Sequence, residues 1–189
     1  LAQAAELTAV LQQLGAAGAG VELDFPWAAE ALRRILVASG ATVTHHESPC
    51  TLPRATKNHA ELEGARAAHL RDGIPMAQFL HWLEVNAPKG ELDEIAAARK
   101  LESLRAQGGE LRDLSFDTIS GAGPHAAIPH YRVSETSNLP IENNRIYLVD
   151  SGAQYVDGTT DVTRTIIVGT PTDEMKDRFT RVLKGMINL

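Results

Sequence analysis

The segment from Arg145 to Val168 constrains the fold of this chain more than any other. Ile146 to Val149 and Val162 to Val168 are rich in β-branched and aliphatic residues, as half-buried strands are. Between them lies Asp157-Gly158, a hairpin signal because glycine tolerates positive φ. Two strands joined by a tight turn are therefore predicted, each with one carboxylate: Asp150 ends the first apolar run and Asp161 precedes the second. An ionised carboxylate in an apolar strand is costly without a cation or dense hydrogen bonding. Two on neighbouring strands repel each other, so a shared divalent metal is an economical way to keep both ionised. The residues alone leave a second reading open, and for an arbitrary hairpin favour it: Asp150 caps a turn and Asp161 is solvated.

Geometry adds a condition. A two-residue Asp157-Gly158 turn pairs 156 with 159 and sets Asp150 opposite Thr165, about four residues from Asp161 at ~3.3 Å per residue, too far for a shared metal. A longer turn or a bulge that shifts the register is therefore expected, with Gly158 at positive φ and both carboxylates on one face.

The 189 residues suffice for one domain or parts of two, and 43% hydrophobic with 22% charged residues is the composition of a folded globular chain. A net charge of -6 argues against a nucleic-acid surface. Cys50 is the single cysteine, so no internal disulfide forms; it reads as a small apolar side chain, and a cytoplasmic location is expected. No apolar run approaches the ~20 residues that span a bilayer, so no membrane association is expected. The chain begins without Met and stops at Leu189 inside an amphipathic pattern, as a piece of a longer protein would.

Residues 1–52 alternate helix and strand. Leu7, Val10, Leu11 and Leu14 give a helical stripe over 2–14; Val21 to Asp24 and Ala41 to His46 read as strands around a helix opened by Pro26. This β-α-β rhythm predicts a parallel pair. His45 and His46 point to opposite strand faces and cannot easily share a metal. Ser48 to Pro53 reads as a linker. Asn58 to Asn86 is helical, with Leu62, Ala65, His69, Leu70, Met76, Leu80 and Leu83 near one face and a kink or break expected at 72–75, where Gly73 and Pro75 interrupt it. Phe79 and Trp82 read as core aromatics. Glu91 to Gln107 is a further helix with a solvated charged face, Leu114 to Ser120 a strand, and Gly121 to Pro124 a simple turn. His125 reads as a loop residue. His130 lies among apolar and aromatic neighbours, where a structural role and a functional one both stand. Thr172 is a good N-cap for a last helix from about Asp173.

Val149-Asp150-Ser151-Gly152-Ala153-Gln154-Tyr155-Val156-Asp157-Gly158-Thr159-Thr160-Asp161-Val162-Thr163-Arg164-Thr165 resembles the signature of the Xaa-Pro aminopeptidases, of the "pita-bread" metallopeptidase superfamily. Asp113-Leu114-Ser115-Phe116 through Pro124, then Ile128-Pro129-His130-Tyr131, follow the same family's order. The resemblance implies an α/β (α+β) fold: residues 1–52 as the C-terminal part of a creatinase/prolidase-type N-terminal domain, and 53–189 as the first half of a pita-bread catalytic domain. It implies Asp150 and Asp161 as the first two metal ligands, and His130 as a catalytic residue outside the metal shell. Pro129 departs from the aliphatic residue expected there. Two divalent ions, with Mn²⁺ expected since hard cations suit carboxylates, would complete their shell with one His and two Glu from later strands, so this chain alone is expected to be inactive. Peptides with proline second are the implied substrates, and a family-like homodimer the implied assembly. The alternatives are a non-catalytic pita-bread module that binds peptide or protein, and a prolidase- or creatinase-type hydrolase.

Overall fold

The computed structural model describes residues 3–189. The chain divides into two compact units, the first ending at Lys57 and the second running from Asn58 to Leu189.

The first unit contains α1 (Leu7–Ala16), β1 (Gly20–Leu23), α2 (Glu30–Ala38), β2 (Thr42–His45) and α3 (Thr51–Ala55). The two strands pair in parallel from Gly20↔Thr42 to Leu23↔His45, as the β-α-β pattern requires. Leu11, Leu36 and Ala41 form the buried core of this unit, with Val21, Leu32 and Val43 packed alongside. Helix α2 starts later than Pro26, because the amides of Trp27 and Ala28 donate to the Asp24 carbonyl and hold a turn there. The stretch read as a linker is partly helical, as α3, and the unit boundary falls a few residues beyond it.

The second unit contains α4 (His59–Asn86), α5 (Glu94–Ala106), β3 (Asp113–Leu114), β4 (Ile119–Ala122), β5 (Arg145–Ser151), β6 (Ala153–Gln154), β7 (Val162–Val168) and α6 (Asp173–Ile187). Strands β4, β5 and β7 form an antiparallel sheet in that order, and β3 pairs with β6 separately. The single strand expected over 114–120 is thus two short ones in different sheets. Along β5 burial alternates, with Tyr147, Val149 and Ser151 buried. These face the core formed by Met76, Phe79, Leu83, Ala97, Leu101 and Ile141, with Trp82 at its margin. Ile146, Leu148 and Asp150 fall on the opposite, half-buried face, since successive strand residues point to opposite sides.

Helix α4 runs unbroken through Pro75. Its buried residues, Ala68, Asp72, Pro75, Met76, Phe79 and Leu83, recur at helical spacing, so one continuous stripe crosses the proline and packing holds the helix together there. That stripe shares Met76 and Leu83 with the expected face, but Leu62 and Leu70 are exposed. The stripe includes a charge, and so does that of α5, where Glu94, Ala97, Leu101 and Arg105 are buried. The solvated charged face expected for α5 is therefore wrong at its two ends. Arg105 donates from Nε to Asp72 Oδ1 at 2.8 Å and from Nη2 to Oδ2 at 2.9 Å, locking α5 to α4. Helix α6 is capped by Thr172, whose hydroxyl accepts from the Met175 amide, and leaves Phe179, Val182, Met186 and Ile187 exposed.

Burial alone would raise the pKa of Asp72, but the hydrogen bond and charge of Arg105, with the hydroxyls of Thr160 and Tyr155, bring it below the ordinary carboxylate value. Asp72→Asn leaves the Arg105 guanidinium buried without its counter-charge and is expected to cost about 3–5 kcal/mol in denaturant unfolding. A folded-state pKa below the unfolded ~3.9 means that the wild-type advantage is fully present above that pH and disappears as pH falls through the folded value. The stability gap between D72N and wild type should accordingly close in acid. A gap that stays unchanged as the pH is lowered from neutral through the acid range would contradict the assignment.

Candidate metal centre

Sheet register decides whether Asp150 and Asp161 can act together. Asp150 pairs with Thr163 and Ser151 with Val162, and beyond the sheet Gln154 bridges Thr159 while the Tyr155 amide donates to the Gly158 carbonyl. The turn is thus centred on Val156-Asp157, one position earlier than Asp157-Gly158, and that step moves the register by two. Neither a longer turn nor a bulge is needed. Asp161 comes two residues before Thr163, the partner of Asp150, so the two positions are offset by roughly 7 Å along the strand direction at ~3.3 Å per residue and lie on the same face.

Gly158 does not take positive φ; the glycines that do lie elsewhere. Its small size matters instead, because a Cβ there would sit 2.9 Å from the Ala68 Cβ and 3.2 Å from the Gly64 carbonyl oxygen of α4. At Gly64 an added Cβ would collide with the Asp157 carbonyl. Helix α4 therefore touches the hairpin tip directly. Arg71 grips it, donating from Nη1 and Nη2 to the two carboxylate oxygens of Asp157 at 2.9 and 3.0 Å, with its guanidinium over the Tyr155 ring.

Asp150, Asp161 and His130 line one open cavity of about 290 Å³ with Phe116, Asp117, Ile119 and Arg132. Asp150 is half-buried and accepts a 2.8 Å hydrogen bond from the Thr163 hydroxyl; Asp161 and His130 are exposed. His130 adopts a left-handed backbone, φ 55°, directly after Pro129. Pro129 cannot take that conformation itself, so the turn falls on His130. Two carboxylates facing one cavity fit a hard divalent cation by donor chemistry. They make an incomplete set: among the described residues no group of three or more His, Cys, Asp or Glu could hold a metal. A larger cavity, about 350 Å³ beside Arg71, Pro75, Arg105 and Tyr155, offers mainly apolar walls, and its cations already pair with Asp157, Glu110 and Asp72.

The loop that carries His130 is held from behind by Glu94, which lies in the core. Its Oε1 accepts from the Ala122 amide at 2.7 Å and lies 2.9 Å from His125 Nδ1, and its Oε2 accepts from the Leu139 amide at 3.0 Å and the Tyr131 hydroxyl at 3.2 Å. His125 is thus part of a buried network and not a free loop residue. Burial pushes the Tyr131 phenol up, and the Glu94 charge adds to this after the opposing Ser137 bond. None of Asp72, Glu94, Arg105, Tyr155 or Thr160 was expected from sequence. The available signal was a charged residue at an apolar-stripe position, which demands a buried partner.

An α/β unit that presents two carboxylates from neighbouring strands to an open cavity is an arrangement suited to a metal-dependent protein. The profile of metallopeptidase family M24 matches residues 63–189, and the chain belongs to that family. A probable Xaa-Pro aminopeptidase P of Chaetomium globosum is 52% identical over 145 residues, covering 75% of this chain and 23% of the relative. Xaa-Pro aminopeptidase ApepP of Drosophila melanogaster is 46% identical over 142 residues, with coverage of 75% and 23%. The chain thus spans about a quarter of the curated relatives it matches. The crystal structure of an X-prolyl aminopeptidase from Caenorhabditis elegans, described as a cytosolic enzyme with a di-nuclear active site, superposes with a TM-score of 0.76 at 35% identity, covering 90% of this chain and 29% of that one. A prolidase from Pyrococcus furiosus, TM-score 0.72 at 21% identity over 97% of this chain and 51% of its own, shares the fold.

Glu94→Gln must turn one oxygen into an NH₂ that faces a backbone N–H, orphaning a buried donor at roughly 1–3 kcal/mol. Hydrogen exchange should accelerate at the amide of Ala122 or Leu139 while the β5 amides stay protected. Unchanged protection at both would show that Glu94 does not hold the loop.

Proposed function

We propose that the protein to which this chain belongs is a metal-dependent aminopeptidase that hydrolyses the bond between an N-terminal residue and a following proline. The observation that carries this reading is that Asp150 and Asp161 share one face and line a single cavity with His130, in a chain about half identical to relatives named Xaa-Pro aminopeptidase P. Asp150 and Asp161 would contribute ligands to a pair of divalent ions, manganese by preference of hard oxygen donors. When bound, such a pair lowers the pKa of a water and polarises the scissile carbonyl. Further ligands, a His and two Glu, would come from sequence outside this chain. Residues 1–52 would belong to the preceding domain and 53–189 to the catalytic one, in a cytoplasmic enzyme acting on peptides with proline second.

The protein's own groups have separable tasks. Thr163 orients the Asp150 carboxylate through its hydroxyl, leaving the second oxygen free to face the cavity. His130, outside the ligand set, would donate a hydrogen bond where negative charge develops on the substrate carbonyl oxygen. Its left-handed backbone after Pro129 fixes where the ring starts from.

In the whole protein, Asp150→Asn or Asp161→Asn should abolish hydrolysis of an Xaa-Pro peptide, a chelator should do the same, and added Mn²⁺ should restore only the chelated wild type. Retained activity in either variant defeats the reading. His130→Ala should lower kcat roughly 100- to 1000-fold, the scale of losing one oxyanion donor, with Mn²⁺ affinity kept. The 189-residue chain alone, with two ligands, should bind Mn²⁺ more weakly than micromolar in calorimetry, since affinity follows ligand number and preorganisation.

A further inference from the structure

The Asp161 side chain makes no hydrogen bond among the described residues, whereas Asp150 has Thr163. What fixes Asp161 is the residue before it. Thr160 is buried, and every polar group it has is used: its amide donates to the Ala153 carbonyl at 2.9 Å, its carbonyl accepts from the Ser115 hydroxyl at 3.0 Å, and its hydroxyl accepts from the Ala153 amide at 2.9 Å while donating to Asp72 Oδ2 at 2.9 Å. The last bond reaches out of the hairpin to α4. Asp72 is in turn immobilised by Arg105 on α5, and its other oxygen also accepts from the Tyr155 hydroxyl at 3.0 Å.

A hydrogen-bonded chain therefore runs from α5 through Arg105 and Asp72 to Thr160, one peptide unit from Asp161. A threonine hydroxyl that both donates and accepts in a dry site is held in one rotamer, and the adjoining backbone is held with it. We propose that Thr160, anchored by Asp72, is a positioning residue for the metal ligand Asp161. This rests on the reading of Asp150 and Asp161 as metal ligands. Groups behind a ligand that fix its orientation typically govern metal affinity by 10- to 100-fold. Here the anchor acts through the backbone, so its effect should appear in affinity even where the fold is intact.

The test is Mn²⁺ binding to the whole protein, read from the electron paramagnetic resonance signal of free Mn²⁺. Thr160→Val keeps the shape of the side chain and removes the hydroxyl; roughly 10-fold or greater weakening of Mn²⁺ binding is expected, with an unchanged circular dichroism spectrum. Thr160→Ser restores the hydroxyl and should recover most of the affinity. Tyr155→Phe removes a hydrogen bond to the same Asp72 carboxylate but leaves the Thr160 bond in place, so it should lower the melting temperature with Mn²⁺ affinity within about twofold of wild type. Thr160→Val binding Mn²⁺ like wild type would overturn the inference, and so would Tyr155→Phe losing as much affinity as Thr160→Val, which would indicate general loosening. Wild-type protein that takes up no Mn²⁺ would overturn the metal reading itself, and the inference with it.

Discussion

The carboxylate of Asp72 is the point on which the second unit depends. Buried between α4 and α5, it accepts two hydrogen bonds from Arg105 and one each from Tyr155 and Thr160. Taking one charge out of water is expensive, and a pair is tolerated only where geometry and further hydrogen bonds compensate. Those partners come from three places: a neighbouring helix and both arms of the β5–β7 hairpin. The carboxylate is stable only if helix, helix and hairpin are all in position. Burial, and then the hydrogen bond to the Asp72 carboxylate and its charge, push the Tyr155 phenol up to about 12, so it stays a donor throughout the neutral range.

Glu94 repeats the device beside β4. It ties α5 to β4 and to the segment running through Tyr131 and Leu139, with Ser120 bonded both to the Glu94 carbonyl and to the Tyr147 hydroxyl. The division of labour follows from the alternation of β5. Tyr147 and Val149 point at the helices and carry the packing, while Asp150 points the other way, toward the cavity. The residues that face the cavity contribute little to the core, so they are free to be chosen for chemistry.

Much of this was legible in the sequence, because hydrophobic periodicity reports directly on which side of an element is buried. The parallel β1–β2 pair, the strands β5 and β7, the long helix and the capped last helix all follow from local pattern. The roles proposed for the two aspartates and His130 rest on a continuous resemblance and not on local pattern. What stayed hidden was long-range. Asp72 and Arg105 are distant in sequence, and each alone looks like an ordinary solvated charge. The turn sits one residue earlier than Asp157-Gly158 implies, because Gly158 answers to the close approach of Gly64 and Ala68 and not to a need for positive φ. Pro75 looked like a break because a lone chain feels the missing amide, while the packed helix feels the stripe on either side of it.

By the proposed reading, the register set by this hairpin puts Asp150 and Asp161 on one metal centre. A crystal of the whole protein grown with Mn²⁺, with anomalous diffraction measured near the manganese absorption edge, tests it most directly. Two anomalous peaks are expected in the cavity lined by His130, with oxygens of both Asp150 and Asp161 within bonding distance. A manganese peak bound elsewhere, or a site touched by only one of the two aspartates, would contradict it.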